Sequence, residues 1–294
     1  MIRTLIGLFG FLMLAACSAA PEYDLVIRNG VMHDGSGSKP YRGDLAIDGD
    51  TIAAIGPEVN GRGQLEIDAK GLAVAPGFIN MLSWATESLI EDGRSQGNIR
   101  QGVTLEIFGE GISMGPLNEV MKQDMLSRQG DITYDIAWTT LSEYLDHLIR
   151  RGISPNVASF VGATTIRIHV LGYQDRPPTP EELEQMRSLV RAAMEAGALG
   201  VGSSLIYAPA FYAGTAELTA LAEVAAEYGG TYISHIRNES NRLLEAIDEL
   251  ITIARVEVAP VGLGLYRDRK AGIWLVSQRF GGCYRVHRHS FIYY

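Results

Sequence analysis

The segment GLAVAPGFINMLS, Gly71 to Ser83, decides the fold, because the pattern of the chain changes within it. Before Pro76, apolar residues alternate with polar ones at a period of two, which is typical of half-buried strands. After Pro76, short apolar runs alternate with amphipathic helical stretches, a pattern that indicates parallel βαβ units. The sequence therefore predicts an α/β fold, with a small β-domain over 17–75 and a partial β/α barrel over 76–255.

Four apolar runs predict the β-domain, and Asp48-Gly49-Asp50 between two of them predicts a tight hairpin, since glycine accepts a positive φ. Any antiparallel module would share this periodicity, so the runs alone do not select one architecture. The four runs are LVI (25–27), LAI (45–47), TIAAI (51–55) and LEI (65–67).

The barrel region is predicted to contain five strands, near 76–82, 103–108, 157–161, 199–205 and 231–235. Six helices are predicted between and after them, near 86–101, 117–127, 139–151, 180–196, 215–228 and 240–254. The fourth helix has clear boundaries, because Thr179, Pro180 and Glu182 form a capping box with proline in the first turn, and Gly197 ends it. A complete eight-stranded barrel typically takes about 250 residues, so this pattern describes an incomplete one.

The first sixteen residues, 1–16, are predicted to be a lipoprotein-type signal peptide. Arg3 gives the positive start, Leu5 to Leu14 the apolar core, and Leu14 to Cys17 a small-residue cleavage site that ends in cysteine. Cys17 would then carry lipid, anchoring an exported protein to a periplasmic or outer-membrane surface. Two alternatives are an ordinary signal cut after Ala19 or Ala20, and a transmembrane anchor, for which about ten apolar residues are too few against roughly twenty.

The composition excludes some functions. A net charge of −9 and a pI near 5.2 argue against a nucleic-acid surface, which needs a basic face, and leave a small-molecule substrate or a structural role. If Cys17 is lipidated, only Cys283 remains as a thiol, so no intrachain disulfide is predicted.

Residues 256–294 break with the rest of the chain. They carry six basic residues against two acidic ones, a local charge of +4, and lose both helical and strand periodicity. A shift of reading frame would produce such a segment, and a genuine basic tail is the alternative.

Several motifs, taken in order, resemble the N-terminal portion of the N-acyl-D-amino-acid deacylases (D-aminoacylases), a family of the amidohydrolase superfamily. The resemblance covers about residues 23–255. The motifs are YDLVIRNGVMHDGSG (23–37), the 43–56 hairpin, APGFI (75–79), QGVTLEIFGEG (101–111), NVASFVGATTIR (156–167), GALGVGSSLIYAPAFYA (197–213) and YISHIRNES (232–240).

This resemblance implies a β-sandwich beside a (β/α)₈ TIM barrel, and a zinc-activated water that attacks the amide of an N-acyl-D-amino acid. The family pattern places a cysteine, two histidines and an aspartate at the ends of the second, fifth, sixth and eighth strands. Two of these four positions lie beyond the point where this chain loses the pattern. The family also has Asp-x-His-x-His after its first strand, whereas this chain has Asn80, Leu82 and Trp84, of which neither Leu82 nor Trp84 can bind zinc.

Three residues match family site positions. His235 ends the apolar run TYIS and is the expected zinc ligand, since catalytic groups collect at the carboxyl ends of barrel strands. Glu110 stands where the family has its cysteine, and its carboxylate could serve as a substitute ligand, although a solvent-facing turn residue is an equal alternative. Arg237 is the expected contact for the substrate carboxylate, which a guanidinium can bind through two parallel hydrogen bonds, or else a solvated arginine.

The other histidines are weaker candidates. His147 is interpreted as a helix-surface residue, and His169 is placed after a strand. His287 and His289 form a His-x-His pair, but nothing around them fixes a ligand geometry.

The sequence thus predicts an amidohydrolase of the deacylase type whose 294 residues are incomplete and inactive, since two ligands fall short of the three that a catalytic zinc normally has. A second hypothesis is a lipid-anchored, non-catalytic binding protein for acylated amino acids. A third is that the true gene product is longer and catalytic.

Overall fold

Strands dominate the first part of the chain, and β/α units dominate the second. A computed structural model describes residues 22–255, which divide between Pro76 and Gly77 into two compact units. The predicted signal peptide with Cys17, and the segment 256–294 with its His-x-His pair, lie outside the described residues.

The first unit is built on one five-stranded sheet. Its strands are β1 (Tyr23–Met32), β2 (Tyr41–Asp48), β3 (Thr51–Gly56), β4 (Gly63–Asp68) and β5 (Ala73–Val74). The central strand β1 pairs antiparallel with β2 and parallel with β4 and β5. The predicted hairpin is confirmed, because β2 and β3 pair antiparallel across Asp48-Gly49-Asp50 and Gly49 has a φ of 57°.

The second unit alternates strands with helices. Its strands are β6 (Phe78–Asn80), β7 (Val103–Phe108), β8 (Asn156–Ser159), β9 (Val161–Gly162), β10 (Gly200–Ser204) and β11 (Thr231–His235). Its helices are α1 (Ser88–Glu91), α2 (Gln96–Ile99), α3 (Glu119–Ser127), α4 (Leu141–Arg151), α5 (Ala163–Leu171), α6 (Pro180–Glu195), α7 (Thr215–Glu227) and α8 (Leu243–Ala254), with a 3-10 turn at Ala210–Tyr212 between β10 and α7.

The strands of this unit follow one another in chain order, and every pair is parallel. The neighbours are β6-β7-β8 in one sheet and β9-β10-β11 in the next. Only Phe160 separates β8 from β9, so these two segments form one interrupted strand. All five predicted strands are therefore confirmed, and the unit has the arrangement of part of a β/α barrel.

The two faces of these strands pack against different layers. The main core, which contains Phe108, Val201 and Tyr232, packs against the helices. Ile107, Phe160 and Ile233 form a smaller cluster on the opposite face. Because side chains alternate along a strand, Ile107 and Phe108 enter different clusters although they are neighbours in sequence.

One helix prediction needs correction, and one helix was missed. The predicted helix at 86–101 is two short helices, because the Asp92 carboxylate accepts a hydrogen bond from the Arg94 backbone and forms a turn before the left-handed Ser95. Helix α5 was not predicted, since its sequence ATTIRIHVL is rich in β-branched residues of low helix propensity.

The predicted capping box of α6 is confirmed. Within residues 22–255, no helix is both long enough and apolar enough to cross a bilayer.

A buried ion pair joins α5 to α7. Arg167 Nη1 donates to Glu217 Oε2 at 2.6 Å, and both side chains are almost completely buried. Arg167 Nη2 also donates to the carbonyls of Gln174 and Arg176. Burial is the main cause that raises the pKa of Glu217, and the hydrogen bond from Arg167 opposes it. The carboxylate therefore depends on this arginine to stay charged at low cost.

We expect Arg167→Met to lower the free energy of unfolding by about 3–5 kcal/mol near neutral pH, because it leaves the buried Glu217 carboxylate unpaired. The loss should be smaller near pH 5. A carboxyl whose pKa in the folded state is raised above its ordinary value of 4.5 stabilises the fold most below pH 4.5. That stabilisation is lost as the pH rises through the folded pKa. Urea denaturation at the two pH values measures both effects. The exposed Arg242→Met is the control, and an equal loss at both pH values would contradict this assignment.

Candidate active site

The candidate site lies at the carboxyl-terminal edge of the parallel strands in the second unit. Strand β7 ends at Phe108, β10 at Ser204 and β11 at His235. Because the strands are parallel, the residues at and just beyond these ends lie along one edge. Glu110 follows the first of these ends by two residues. Sequence-predicted site residues from two different strands thus share this edge.

The turn Gly109–Gly111 crosses the ends of the neighbouring strands at very short range. A side chain at Gly109 would overlap the carbonyl of Phe160, and one at Gly202 would overlap the carbonyl of Gly109. Gly109 also has a φ of 94°, a conformation that favours glycine. The approach therefore requires glycine on both sides of the contact.

This turn brings Glu110 and His235 to a common neighbour. Ser204 Oγ donates to the backbone carbonyl of Glu110 at 3.0 Å, and Ser204 pairs in parallel register with His235. Glu110 is buried, with 7% of its surface exposed. The structure thus brings these two residues to one edge beside Ser204, while their role as metal ligands stays a prediction.

The imidazole of His235 contacts two residues that the sequence did not indicate as site residues. Its Nε2 lies 3.2 Å from Oε1 of Glu239, although this buried nitrogen has no partner in hydrogen-bond geometry. The edge of the Tyr207 ring packs against the imidazole, with 5.5 Å between the ring centroids. The i,i+4 spacing of His235 and Glu239 in SHIRNE was the one available signal for the first contact.

The described residues do not fit a complete catalytic zinc site. Within 22–255, no group of three or more histidine, cysteine, aspartate or glutamate side chains is placed to hold a metal ion. A catalytic zinc normally has three protein ligands. After β6, Leu82 is half-buried and Trp84 is 61% exposed, and neither side chain offers a ligand atom for zinc.

Arg237 makes four hydrogen bonds within the protein. Its Nε and Nη2 bind the two carboxylate oxygens of Glu249 on α8, each at 2.8 Å. Its Nη1 and Nη2 donate to the carbonyls of Phe211 and Ala213, each at 2.7 Å. A substrate carboxylate would have to compete with Glu249 for this guanidinium, and contact with substrate stays a prediction.

The two remaining described histidines that were considered lie away from this edge. His147 on α4 packs against the buried Trp138 ring at 5.1 Å between centroids, and its Nε2 is buried without a hydrogen bond. His147 therefore lies on a helix, as interpreted, but it is half-buried against Trp138. His169 lies on α5 rather than after a strand, and burial lowers its pKa.

Sequence reasoning also missed the surroundings of Glu106 on β7. This fully buried carboxylate accepts hydrogen bonds from Ser83 Oγ, Ser95 Oγ and Asn98 Nδ2 at 2.5, 3.0 and 2.9 Å. The three donors come from the segment after β6, from the residue before α2 and from α2 itself.

Parallel β/α units with polar groups gathered at their carboxyl edge define the second unit as a β/α-barrel-type fold with a candidate site at that edge. The chain is 34% identical to a D-aminoacylase of Alcaligenes xylosoxydans xylosoxydans over 83% of its length, and 32% identical to an N-acyl-D-aspartate deacylase of the same organism over 81%. A crystal structure of N-acyl-D-glutamate deacylase from Bordetella bronchiseptica, complexed with zinc and a phosphonate inhibitor, superposes with a TM-score of 0.72 and 30% identity over 84% of this chain.

Homologues of this chain are therefore N-acyl-D-amino-acid deacylases of the amidohydrolase superfamily. The chain spans about half the length of the curated relatives that it matches, 50% and 48% for the two named above, and 52% of the solved chain. No protein-family model matches it.

We expect Gly109→Ala to lower the free energy of unfolding by about 1–3 kcal/mol, because the methyl group would overlap the carbonyl of Phe160 and the backbone would have to leave its positive φ. Gly130→Ala is the matched control, since open space surrounds Gly130. Chemical denaturation of both variants measures the difference. Equal stabilities would show that the turn does not need to approach β9 this closely.

Proposed function

We propose that the activity associated with this chain is hydrolysis of the amide bond of N-acyl-D-amino acids, which consumes one water and yields a carboxylic acid and a free D-amino acid. The substrate would bind at the carboxyl edge of β7, β10 and β11. The position of His235 supports this proposal most directly. This histidine is the last residue of a parallel strand, its Nε2 is buried, and it lies beside the turn that carries Glu110. The names of the relatives supply the substrate class.

A second candidate function is binding of N-acyl-D-amino acids without hydrolysis. The absence of a three-ligand group within residues 22–255 favours it, because Glu110 and His235 together are too few for a catalytic zinc. Under this second function, the chain binds its ligand at the strand edge and does not cleave it.

The two functions predict different results for the purified chain supplied with zinc. We expect N-acetyl-D-methionine and N-acetyl-D-glutamate to raise the melting temperature, because a ligand that binds only the folded state stabilises it. The L enantiomers should do so less. The free D-amino acid is released if the chain hydrolyses its ligand, and it is not released if the chain only binds it. His235→Ala should remove the shift in melting temperature, whereas the exposed His33→Ala in the first unit should keep it.

Release of the D-amino acid by the unaltered chain, lost in His235→Ala, would show that the catalytic centre is complete and would exclude the binding function. If the chain neither releases the amino acid nor shows a shift in melting temperature, both proposals are wrong. A melt without a cooperative step would contradict a stably folded binding protein.

We also propose that the protein is exported and anchored to the membrane surface through a lipid on Cys17, a proposal supported by the apolar core and the Leu14-Ala15-Ala16-Cys17 pattern. In a bacterial host supplied with radiolabelled palmitate, the full-length protein should incorporate label and fractionate with membranes. Cys17→Ser should lose both properties. Labelling that persists in Cys17→Ser would contradict lipidation at this residue.

A further inference from the structure

We propose that Arg237 is a positioning residue, which fixes the loop between β10 and α7 so that Tyr207 packs against His235. The inference rests on the proposed function, since it concerns the residue placed at the centre of that site. It assigns Arg237 a role through other residues, and not a direct contact with the substrate.

The first step is the hydrogen bonding at the end of the 3-10 turn Ala210–Tyr212. A helical turn leaves its last carbonyls without partners inside the turn. Arg237 donates to two carbonyls at this end, those of Phe211 and Ala213, and its guanidinium carbon lies 5.8 Å from the centroid of the Phe211 ring. Arginine near a helix end commonly satisfies carbonyls in this way.

The second step is the anchor of the guanidinium itself. Glu249 binds it through both carboxylate oxygens, and the side chains of the pair are 23% and 14% exposed. Thr215 Oγ1 at the start of α7 donates to the same carboxylate at 2.8 Å. A planar guanidinium held on two sides has a fixed orientation, which the flexible ammonium of lysine could not reproduce.

The third step links the loop to the site. The Phe211 amide donates to the carbonyl of Tyr207 at 2.8 Å. Phe211 therefore links Arg237, which binds the carbonyl of Phe211, to Tyr207. The ring of Tyr207, which is 60% exposed, meets the imidazole of His235 edge to face. Removing the guanidinium should therefore free the loop and change the surroundings of the imidazole, although Arg237 does not touch that ring.

Three measurements on the full chain test this. In Arg237→Lys and in Glu249→Gln, the amides of Phe211, Tyr212 and Ala213 should exchange with solvent at least about tenfold faster, because they belong to the loop that the guanidinium holds. The NMR resonances of the His235 ring should move towards their positions in Tyr207→Leu. Both N-acetyl-D-methionine and its carboxamide should bind more weakly, by a similar factor.

Arg242→Lys is the control, because Arg242 makes an exposed pair with Glu245 and should change none of these measurements. The double variant Arg237→Met/Glu249→Met separates positioning from simple neutralisation of Glu249. It removes both charges but leaves the carbonyls of Phe211 and Ala213 without a donor, so exchange should stay fast. It also provides a second route if Arg237→Lys fails to fold.

Two results would overturn the proposal. Slow exchange at 211–213 with unchanged His235 resonances in Arg237→Lys would show that the loop does not depend on this guanidinium. Weaker binding of the carboxylate ligand alone, with full binding of the carboxamide, would make Arg237 a substrate contact. If neither ligand binds the unaltered chain, the proposed function fails, while the exchange and NMR measurements still decide the role of Arg237.

Discussion

Backbone contact between the turn Gly109–Gly111 and the ends of β9 and β10 is the constraint on which the site depends. Gly202 has no room for a side chain because it abuts the carbonyl of Gly109, and Gly109 has none because it abuts the carbonyl of Phe160. The Gly111 carbonyl then accepts a hydrogen bond from the Thr164 amide at 3.0 Å, which ties the turn to the start of α5. Because the turn is held in this way, Glu110 follows the strand ends at a fixed position beside Ser204. The turn therefore joins the carboxyl ends of β7, β9 and β10 into one edge.

Two arginine–glutamate pairs give the start of α7 a similar rigidity. Arg167 binds Glu217 on the helix, and Arg237 binds Glu249, which also accepts from Thr215 at the first position of α7. The pairs interact, because the charge of Arg237 helps to lower the pKa of Glu217 against the larger effect of burial, which raises it. Buried pairs of this kind contribute little net stability compared with apolar packing. Their effect here is geometric, since they hold a loop and a helix start against β10 and β11.

The sequence predicted what local rules control. Apolar runs placed all five barrel strands, and His235 was predicted at the edge because it ends such a run, whereas Glu110 was predicted from the resemblance to the family. Local rules failed where packing decides the structure: α5 forms from β-branched residues because it is buried. The partners of Arg237 could not be predicted either, since Glu249 lies on a different element and the carbonyls belong to a loop whose course depends on that pair.

Glu106 lies within strand β7, whereas Glu110 lies two residues beyond its end, in the turn Gly109–Gly111, and the surroundings of the two carboxylates differ. Glu106 points towards α2, where three neutral donors, from Ser83, Ser95 and Asn98, satisfy its carboxylate. Ser95 takes a φ of 45° to reach it, a strained conformation for a residue with a side chain. Ser83 lies between Leu82 and Trp84, the two positions at which the family pattern has histidines. A carboxylate from the next strand therefore anchors the segment that follows β6.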